Sequence, residues 1–157
     1  MAALILDDCI SEEELQKYRE SFKNSTIDSN KQPDVNSQFQ YALCLVRSSD
    51  HKNIQNGFQL FKKMFETSTN DNFKRDALYY MAVAEAKLKN YEPALKYLDV
   101  ILKVESNNEQ VRDLYVEVNK RMRKDGLIGI GIVGSAAAVG FAGIVGLGLA
   151  LFAKSKK

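Results

Sequence analysis

Histidine, cysteine and proline are scarce in this sequence, with one, two and two copies in 157 residues. A catalytic triad or a histidine-containing zinc site is not expected, because His51 is the only imidazole. It lies in the polar stretch 48–53, where we expect a solvated loop residue. Cys9 and Cys44 lie far apart and match no metal-ligand spacing, so we expect free thiols. The composition therefore predicts no enzyme, no cofactor and no metal site.

Acidic residues are absent after Asp125. Residues 1–125 hold all 20 acidic side chains and 19 of the 22 basic ones, which gives this part a net charge of −1. The whole-chain charge of +2 comes from the last few residues, and no basic patch typical of nucleic-acid binding is visible. By length, residues 1–125 are expected to form one small domain.

Charge of either sign is absent from Leu127–Ala153, a run of 27 residues. At about 1.5 Å per residue, a helix of this length reaches roughly 40 Å, more than the hydrocarbon core of about 30 Å. We therefore expect residues 126–153 to form a transmembrane tail anchor, with the preceding domain in the cytosol. A basic tail follows at 154–157, with the candidate targeting residues Lys154, Lys156 and Lys157. Met1–Leu6 is apolar but lacks the basic start of a signal peptide.

Eight of the nine glycines lie in residues 126–148. Three of them spell GxGxxG at 129–134, but no strand precedes them and no acid follows, so a dinucleotide-binding turn is not expected. Small residues four positions apart, such as Ala138 and Ala142, would let two anchors pack closely into a homo-oligomer. The alternative is an anchor selected for low hydrophobicity alone.

Apolar residues recur at three- and four-residue spacing through residues 11–124, which predicts six soluble helices. Ser11 and Glu14 form a capping box at the start of the first one. The polar segment 24–36 is expected to be a loop. The other helices are predicted at Gln38–Ser48, Ile54–Glu66, Phe73–Lys89, Glu92–Glu105 and Glu109–Lys124. Their short connections imply antiparallel neighbours, so we expect an all-α six-helix bundle followed by one C-terminal transmembrane helix.

Two degenerate tetratricopeptide-like repeats are visible in this bundle, at about 38–71 and 75–108. The second copy fits the template well, because large and small apolar residues stand where two helices must cross closely. These residues are Leu78, Met81, Ala82, Tyr91, Ala94, Leu98 and Ile101. In the first copy Gly57 takes the place of Ala94. The domain 11–125 is therefore predicted to be a short stack in which the outer helices cap two repeats.

The first helix of each repeat is expected to line a concave groove. The groove-facing template positions are occupied by Phe39, Ala42, Val46, Ser49, Asp76, Tyr79, Val83 and Ala86. This largely apolar surface suits an amphipathic helix or an extended peptide of a partner. The N-terminal arm, residues 1–10, could lie in the groove and compete with partners, or pack on the flank of the bundle.

Four segments closely resemble the mitochondrial fission 1 protein family: Ser37–Ser48, Tyr80–Val83, Tyr91–Tyr97 and Lys124–Gly134. The resemblance implies a repeat-like adaptor in the outer mitochondrial membrane, also found on peroxisomes. Such an adaptor promotes organelle fission by recruiting a dynamin-related GTPase, directly or through adaptors, and Rab-regulating proteins. The groove residues that the resemblance implies are Ala42, Leu45, Val46, Tyr79, Met81, Val83 and Tyr91. With Phe39 they make up the predicted partner-binding groove.

Two functions from different classes follow from these features. In the first, the repeat domain docks cytosolic fission factors through its groove and the anchor supplies the location. In the second, the transmembrane helix oligomerises and remodels or permeabilises the membrane, while the soluble part regulates it. An exchange of the tail for an unrelated anchor separates the two, because only the second requires this particular helix.

Overall fold

The computed structural model describes residues 2–26 and 34–126 of the chain. These residues form seven α-helices and no strand. The helices are α1 (Ala2–Asp7), α2 (Glu12–Thr26), α3 (Val35–Arg47), α4 (His51–Thr67), α5 (Asp71–Lys87), α6 (Tyr91–Val104) and α7 (Glu109–Lys124). The predicted all-α fold is confirmed, and α2–α7 are the six helices expected from the sequence.

The predicted tail anchor lies outside the described residues, apart from Gly126. Among α1–α7, none is both long and apolar enough to cross a membrane.

Side-chain caps determine where several helices begin. The hydroxyl of Ser11 accepts a hydrogen bond from the backbone N–H of Glu14 at 3.2 Å, as the capping box predicts. The side chains that accept such a bond at other helix starts are Asp34 for α3, Asp50 for α4, Asn70 for α5 and Asn108 for α7. Each of them satisfies a backbone N–H that has no partner within its own helix.

Two of these caps correct the sequence prediction. The segment 24–36 is not a loop throughout, because α2 continues to Thr26 and Asp34 caps α3 at Val35. Residues 27–33 lie outside the described part of the chain. His51 was expected in a loop but is the first residue of α4, because Asp50 caps that helix. The histidine is exposed, as expected.

The helices from α2 to α7 each pack against the next one in the chain, as expected for antiparallel neighbours. The pairs α3–α4 and α5–α6 span residues 35–67 and 71–104 and correspond to the two repeats. Because the direction alternates, α3, α5 and α7 run the same way along one side of the stack. The short helix α1 was not predicted, and it packs on α5 and α7.

The repeat template positions fill the hydrophobic core. Leu78, Met81, Ala94 and Leu98 are at most 1% exposed. Phe61 of α4 is also fully buried, and its ring stacks on that of Tyr80 with 5.3 Å between centroids. Burial of one large apolar side chain stabilises a fold by about 1.5–3 kcal/mol, so these seams between helix pairs hold the stack together.

Gly57 marks a very close approach of α4 to α3. A Cβ atom at this position would lie 2.8 Å from Cγ2 of Val46 and 2.9 Å from the backbone oxygen of Ala42. The Val46 methyl belongs to a fully buried side chain, and the Ala42 oxygen can move only if α3 moves. The two helices can therefore cross at this distance only because residue 57 has no side chain.

Replacement of Gly57 by alanine should therefore destabilise the domain. In an exposed helix this change would stabilise by about 1 kcal/mol, whereas overpacking a core costs about 1–3 kcal/mol. We expect the free energy of unfolding to fall by about 1–2 kcal/mol in urea titrations followed by circular dichroism. The control Asn56→Ala, at an exposed position of the same helix, should not lower it. A Gly57→Ala protein as stable as its parent would contradict the close crossing.

Candidate partner-binding site

The N-terminal arm lies across the side of the bundle formed by α3, α5 and α7, which we call the inner face. Leu6 is 5% exposed and belongs to the main hydrophobic core, and Ile5 packs against the same core. The backbone N–H of Ile10 donates to the carbonyl oxygen of Arg47 at 3.1 Å. Of the two positions considered for the arm, this arrangement corresponds to the one in the groove.

Three basic side chains hold the two acidic residues of the arm. Nη2 of Arg121 lies 2.8 Å from Oδ2 of Asp7, and Nε of Arg47 lies 2.7 Å from Oδ2 of Asp8. Nζ of Lys87 donates to the backbone carbonyl oxygen of Asp8 at 2.8 Å. We call Arg47, Lys87 and Arg121 the basic clamp. They stand in the last turns of α3, α5 and α7, so one clamp residue comes from each helix of the inner face.

The pKa of Asp7 indicates the pH range over which the clamp holds. The hydrogen bond from Arg121 lowers the pKa of this carboxyl below its usual value. A carboxylate whose pKa is lowered by docking stabilises the docked state fully above its ordinary pKa, and the contribution is lost as the pH falls through the lowered value. Arg47 and Arg121 stay protonated throughout, because hydrogen bonds to Asp8 and Asp7 raise the pKa values of the two guanidinium groups. We therefore expect the ion pair between Asp7 and Arg121 to persist at physiological pH.

A cavity of about 800 Å³ lies between the arm and the start of α7. It is lined by Leu4, Ile5, Asp7, Asp8, Tyr79, Glu109, Gln110 and Asp113. Tyr79 is 7% exposed, and its burial raises the pKa of the phenol, so the hydroxyl stays neutral. Leu4 is 71% exposed, although it is a large apolar side chain. The inner face thus joins apolar and aromatic side chains and the carboxylates of Glu109 and Asp113 to the basic clamp.

Most of the eight predicted groove residues are buried inside the bundle. Those at most 1% exposed are Ala42, Leu45, Val46, Met81 and Val83. Of the eight, only Tyr79 lines the cavity beside the arm. The template positions face an open groove in long repeat stacks, but here Ala42 and Val46 lie against Gly57 of α4, and α1 packs over α5 and α7. Contact of these residues with a partner stays a prediction.

The other predicted groove residues belong to local contacts. Phe39 packs against the rings of Phe61, Phe73 and Tyr80, with 5.2–5.7 Å between centroids. Leu45 packs with Leu15 and Cys44 between α2 and α3. Burial raises the pKa of the Cys44 thiol to about 11, so this cysteine is an unreactive core residue, whereas Cys9 is exposed on the arm.

Tyr91 lies near the end of the described domain. Its hydroxyl donates to Oδ2 of Asp125 at 2.8 Å, just after the end of α7. Burial and the Asp125 carboxylate raise the pKa of Tyr91 to about 12. The predicted targeting residues, Lys154, Lys156 and Lys157, lie outside the described residues.

The sequence reasoning missed the basic clamp and the two acids that it holds. A basic residue in the last turn of a helix is common, because it interacts favourably with the helix dipole. Arg47, Lys87 and Arg121 therefore carry no individual signal. Their recurrence at the ends of alternate helices was the available clue, since those ends lie at the same edge of an antiparallel stack.

Comparison with known proteins assigns the chain to a protein family. The model of the Fis1 N-terminal tetratricopeptide repeat matches residues 36–68, and the model of the Fis1 C-terminal tetratricopeptide repeat matches residues 75–127. The mitochondrial fission 1 proteins of Bos taurus and Homo sapiens are 39% and 38% identical to this chain over 153 residues, 97% of both chains in each case. The chain belongs to the mitochondrial fission 1 protein family. The first matched range covers nearly all of α3 and all of α4, and the second covers most of α5 together with α6 and α7.

Solved fission 1 structures share this fold. Yeast Fis1 in complex with an Mdv1 fragment matches with a TM-score of 0.66 and 24% identity, over 76% of this chain and 90% of that chain. Fis1 from Saccharomyces cerevisiae matches with a TM-score of 0.66 and 22% identity, over 79% and 92% of the two chains. At this identity the likeness concerns the fold.

Replacement of Asp7 and Asp8 by asparagine should loosen the arm. Two partly exposed ion pairs contribute about 0.2–1 kcal/mol each, so the open state should become up to about thirtyfold more populated. Hydrogen exchange measures the open population directly. The amide of Asp8 donates to the carbonyl oxygen of Leu4 within the docked arm, and the amide of Ile10 donates to that of Arg47. We expect both amides to exchange faster by up to that factor.

A matched control removes the same charge elsewhere. Glu66 and Asp99 are exposed residues of α4 and α6, away from the inner face. The Glu66→Gln, Asp99→Asn protein should keep the exchange rates of the parent. Unchanged exchange in the Asp7→Asn, Asp8→Asn protein would show that the clamp does not hold the arm.

Proposed function

We propose that this protein is an adaptor of the outer mitochondrial membrane that promotes mitochondrial and peroxisomal fission. Its repeat domain would recruit cytosolic division factors through the inner face, while residues 126–153 anchor it with the N-terminus in the cytosol. Membership of the mitochondrial fission 1 family, over nearly the full length of the relatives, carries this proposal. The fold supports it, because tetratricopeptide-like stacks bind other proteins along the face lined by alternate helices.

Two solved complexes of one relative support protein binding as the activity. Yeast Fis1 has been crystallised with an Mdv1 fragment that contains an N-terminal extension and coiled-coil domains, and also with a fragment of Caf4. The partners proposed here are a dynamin-related GTPase and its adaptors, with Rab-regulating proteins as further candidates. Self-association through the tail is a separate proposal, which rests only on the small-residue spacing in residues 126–148.

The docked arm gives this adaptor an intramolecular competitor. When a binding-competent state is only fractionally populated, the apparent dissociation constant rises in inverse proportion to that fraction. A partner that uses the inner face must displace Leu6 from the core and the two acids from the clamp. The arm therefore sets the affinity of the face as well as covering it.

Recruitment to membranes tests the adaptor proposal. The full chain is reconstituted in liposomes, and binding of a purified dynamin-related GTPase or of its adaptor is measured by flotation. We expect the Asp7→Asn, Asp8→Asn protein to bind more tightly than the parent, by up to about thirtyfold, and the Glu66→Gln, Asp99→Asn protein to bind like the parent. No recruitment by any variant would contradict the adaptor function. Weaker binding after loosening would make the arm part of the interface.

The rival function, a membrane-active tail, has its own control in the same assay. Replacement of residues 126–153 by an unrelated anchor of equal length should leave recruitment unchanged if the repeat domain carries the function. Loss of fission activity with recruitment intact would favour the rival.

Aspartate at Val83 is not a useful test of the groove, because this residue is 1% exposed and a buried carboxylate would unfold the domain.

A further inference from the structure

The basic clamp brings together three cations from three separate helices. α3, α5 and α7 run in the same direction, so their C-terminal ends lie at one edge of the inner face. Arg47, Lys87 and Arg121 stand at these three ends. Arg47 and Lys87 contact Asp8, and Arg121 contacts Asp7. A pair of consecutive acids thus bridges the whole width of the stack.

The arm meets the clamp with a specific pattern of side chains. Leu6 is buried in the core, and Asp7 and Asp8 follow it immediately. Each carboxylate pairs with a different arginine, and the Asp8 carbonyl oxygen accepts from the ammonium of Lys87. The contacts therefore depend on one apolar side chain next to two successive negative charges.

Release of the arm leaves the clamp members unequal. Arg121 keeps Glu117 of its own helix at 3.0 Å, but Arg47 loses the Asp8 carboxylate and Lys87 loses the Asp8 carbonyl. Both cations then lack a protein acceptor among the described residues, so the open inner face should bind a segment that restores these bonds. A lipid head group would supply the charge, but the arm presents both charges on one peptide backbone, whose carbonyl oxygen also accepts from Lys87.

We propose that the basic clamp is a recognition site for a segment of a protein partner in which two consecutive acidic residues follow an apolar residue, as Asp7 and Asp8 follow Leu6. The arm would then be an internal copy of the partner's segment. This proposal rests on the proposed function, because it names the partner chemistry of the same face. It adds a sequence requirement that neither the family nor the fold specifies.

Peptide binding tests the requirement without any fission factor. The acceptor is the chain without residues 2–8, kept in detergent micelles with its C-terminal segment. The probe is a fluorescent peptide with the sequence of residues 2–11 and the substitution Cys9→Ser, and its twin carries asparagine in place of both aspartates. We expect the acidic probe to bind about two- to thirtyfold more tightly by fluorescence anisotropy, because two partly exposed ion pairs separate the probes. Equal binding of the two probes would overturn the proposal.

Variants of the acceptor assign the preference to the clamp. Arg47→Gln with Arg121→Gln should abolish the difference between the probes, whereas Lys62→Gln with Lys63→Gln on α4 should preserve it. Circular dichroism verifies that each acceptor is folded. If removal of residues 2–8 unfolds the chain, the full chain with Asp7→Asn and Asp8→Asn serves as the acceptor. A preference that survives in the Arg47→Gln, Arg121→Gln acceptor would overturn the proposal.

Further outcomes separate this proposal from a phosphate-binding site and from the adaptor function. Inositol hexakisphosphate that displaces the acidic probe at lower concentration than the unlabelled peptide would make the site a phosphate site and overturn the proposal. Recruitment of a purified fission factor that does not change in the Arg47→Gln, Arg121→Gln protein would overturn the clamp while the adaptor function stands. A clear probe preference without recruitment of any fission factor would support the clamp and contradict the adaptor function.

Discussion

The common direction of α3, α5 and α7 is the constraint on which the rest of this structure depends. It follows from antiparallel hairpins that cross closely, at Gly57 in the first repeat, while Ala94 at the matching position of the second repeat is fully buried. A close crossing fixes the register of each hairpin, so the C-terminal ends of alternate helices arrive at one edge. Arg47, Lys87 and Arg121 reach the same two acids only because these ends are aligned. The geometry of the core thus determines the chemistry of the inner face.

The forces that hold the arm are individually weak, and this suits a displaceable segment. Leu6 contributes apolar burial, while the ion pairs are partly exposed to solvent, with 26–66% of each side chain accessible. Partly exposed pairs are worth little compared with core packing, so the arm can open without unfolding the bundle. The affinity of the inner face for a fission factor is then a difference between two similar sets of contacts. Small changes in the arm would raise or lower this affinity.

Much of the fold could be predicted from the sequence, because helical periodicity and the repeat template are local patterns. Leu78, Met81 and Leu98 lie in the core where the template puts them. The position of the arm could not be predicted in the same way, because α1 pairs with α5 and α7, far away in the sequence. Val83 is 1% exposed, where an open groove was expected. The clamp could not be predicted from single residues, because a basic side chain in the last turn of a helix is common.

Competition between the arm and a partner for the inner face is the central claim, and hydrogen exchange of the arm in the bound complex tests it most directly. The full chain is saturated with a purified fission factor, and exchange is followed at the amides of Asp8 and Ile10, which are hydrogen-bonded in the docked arm. If the partner takes the place of the arm, both amides lose their protection on binding, while amides in the core of α5 keep theirs. Arm amides that stay protected, or become better protected, in the complex would contradict the account.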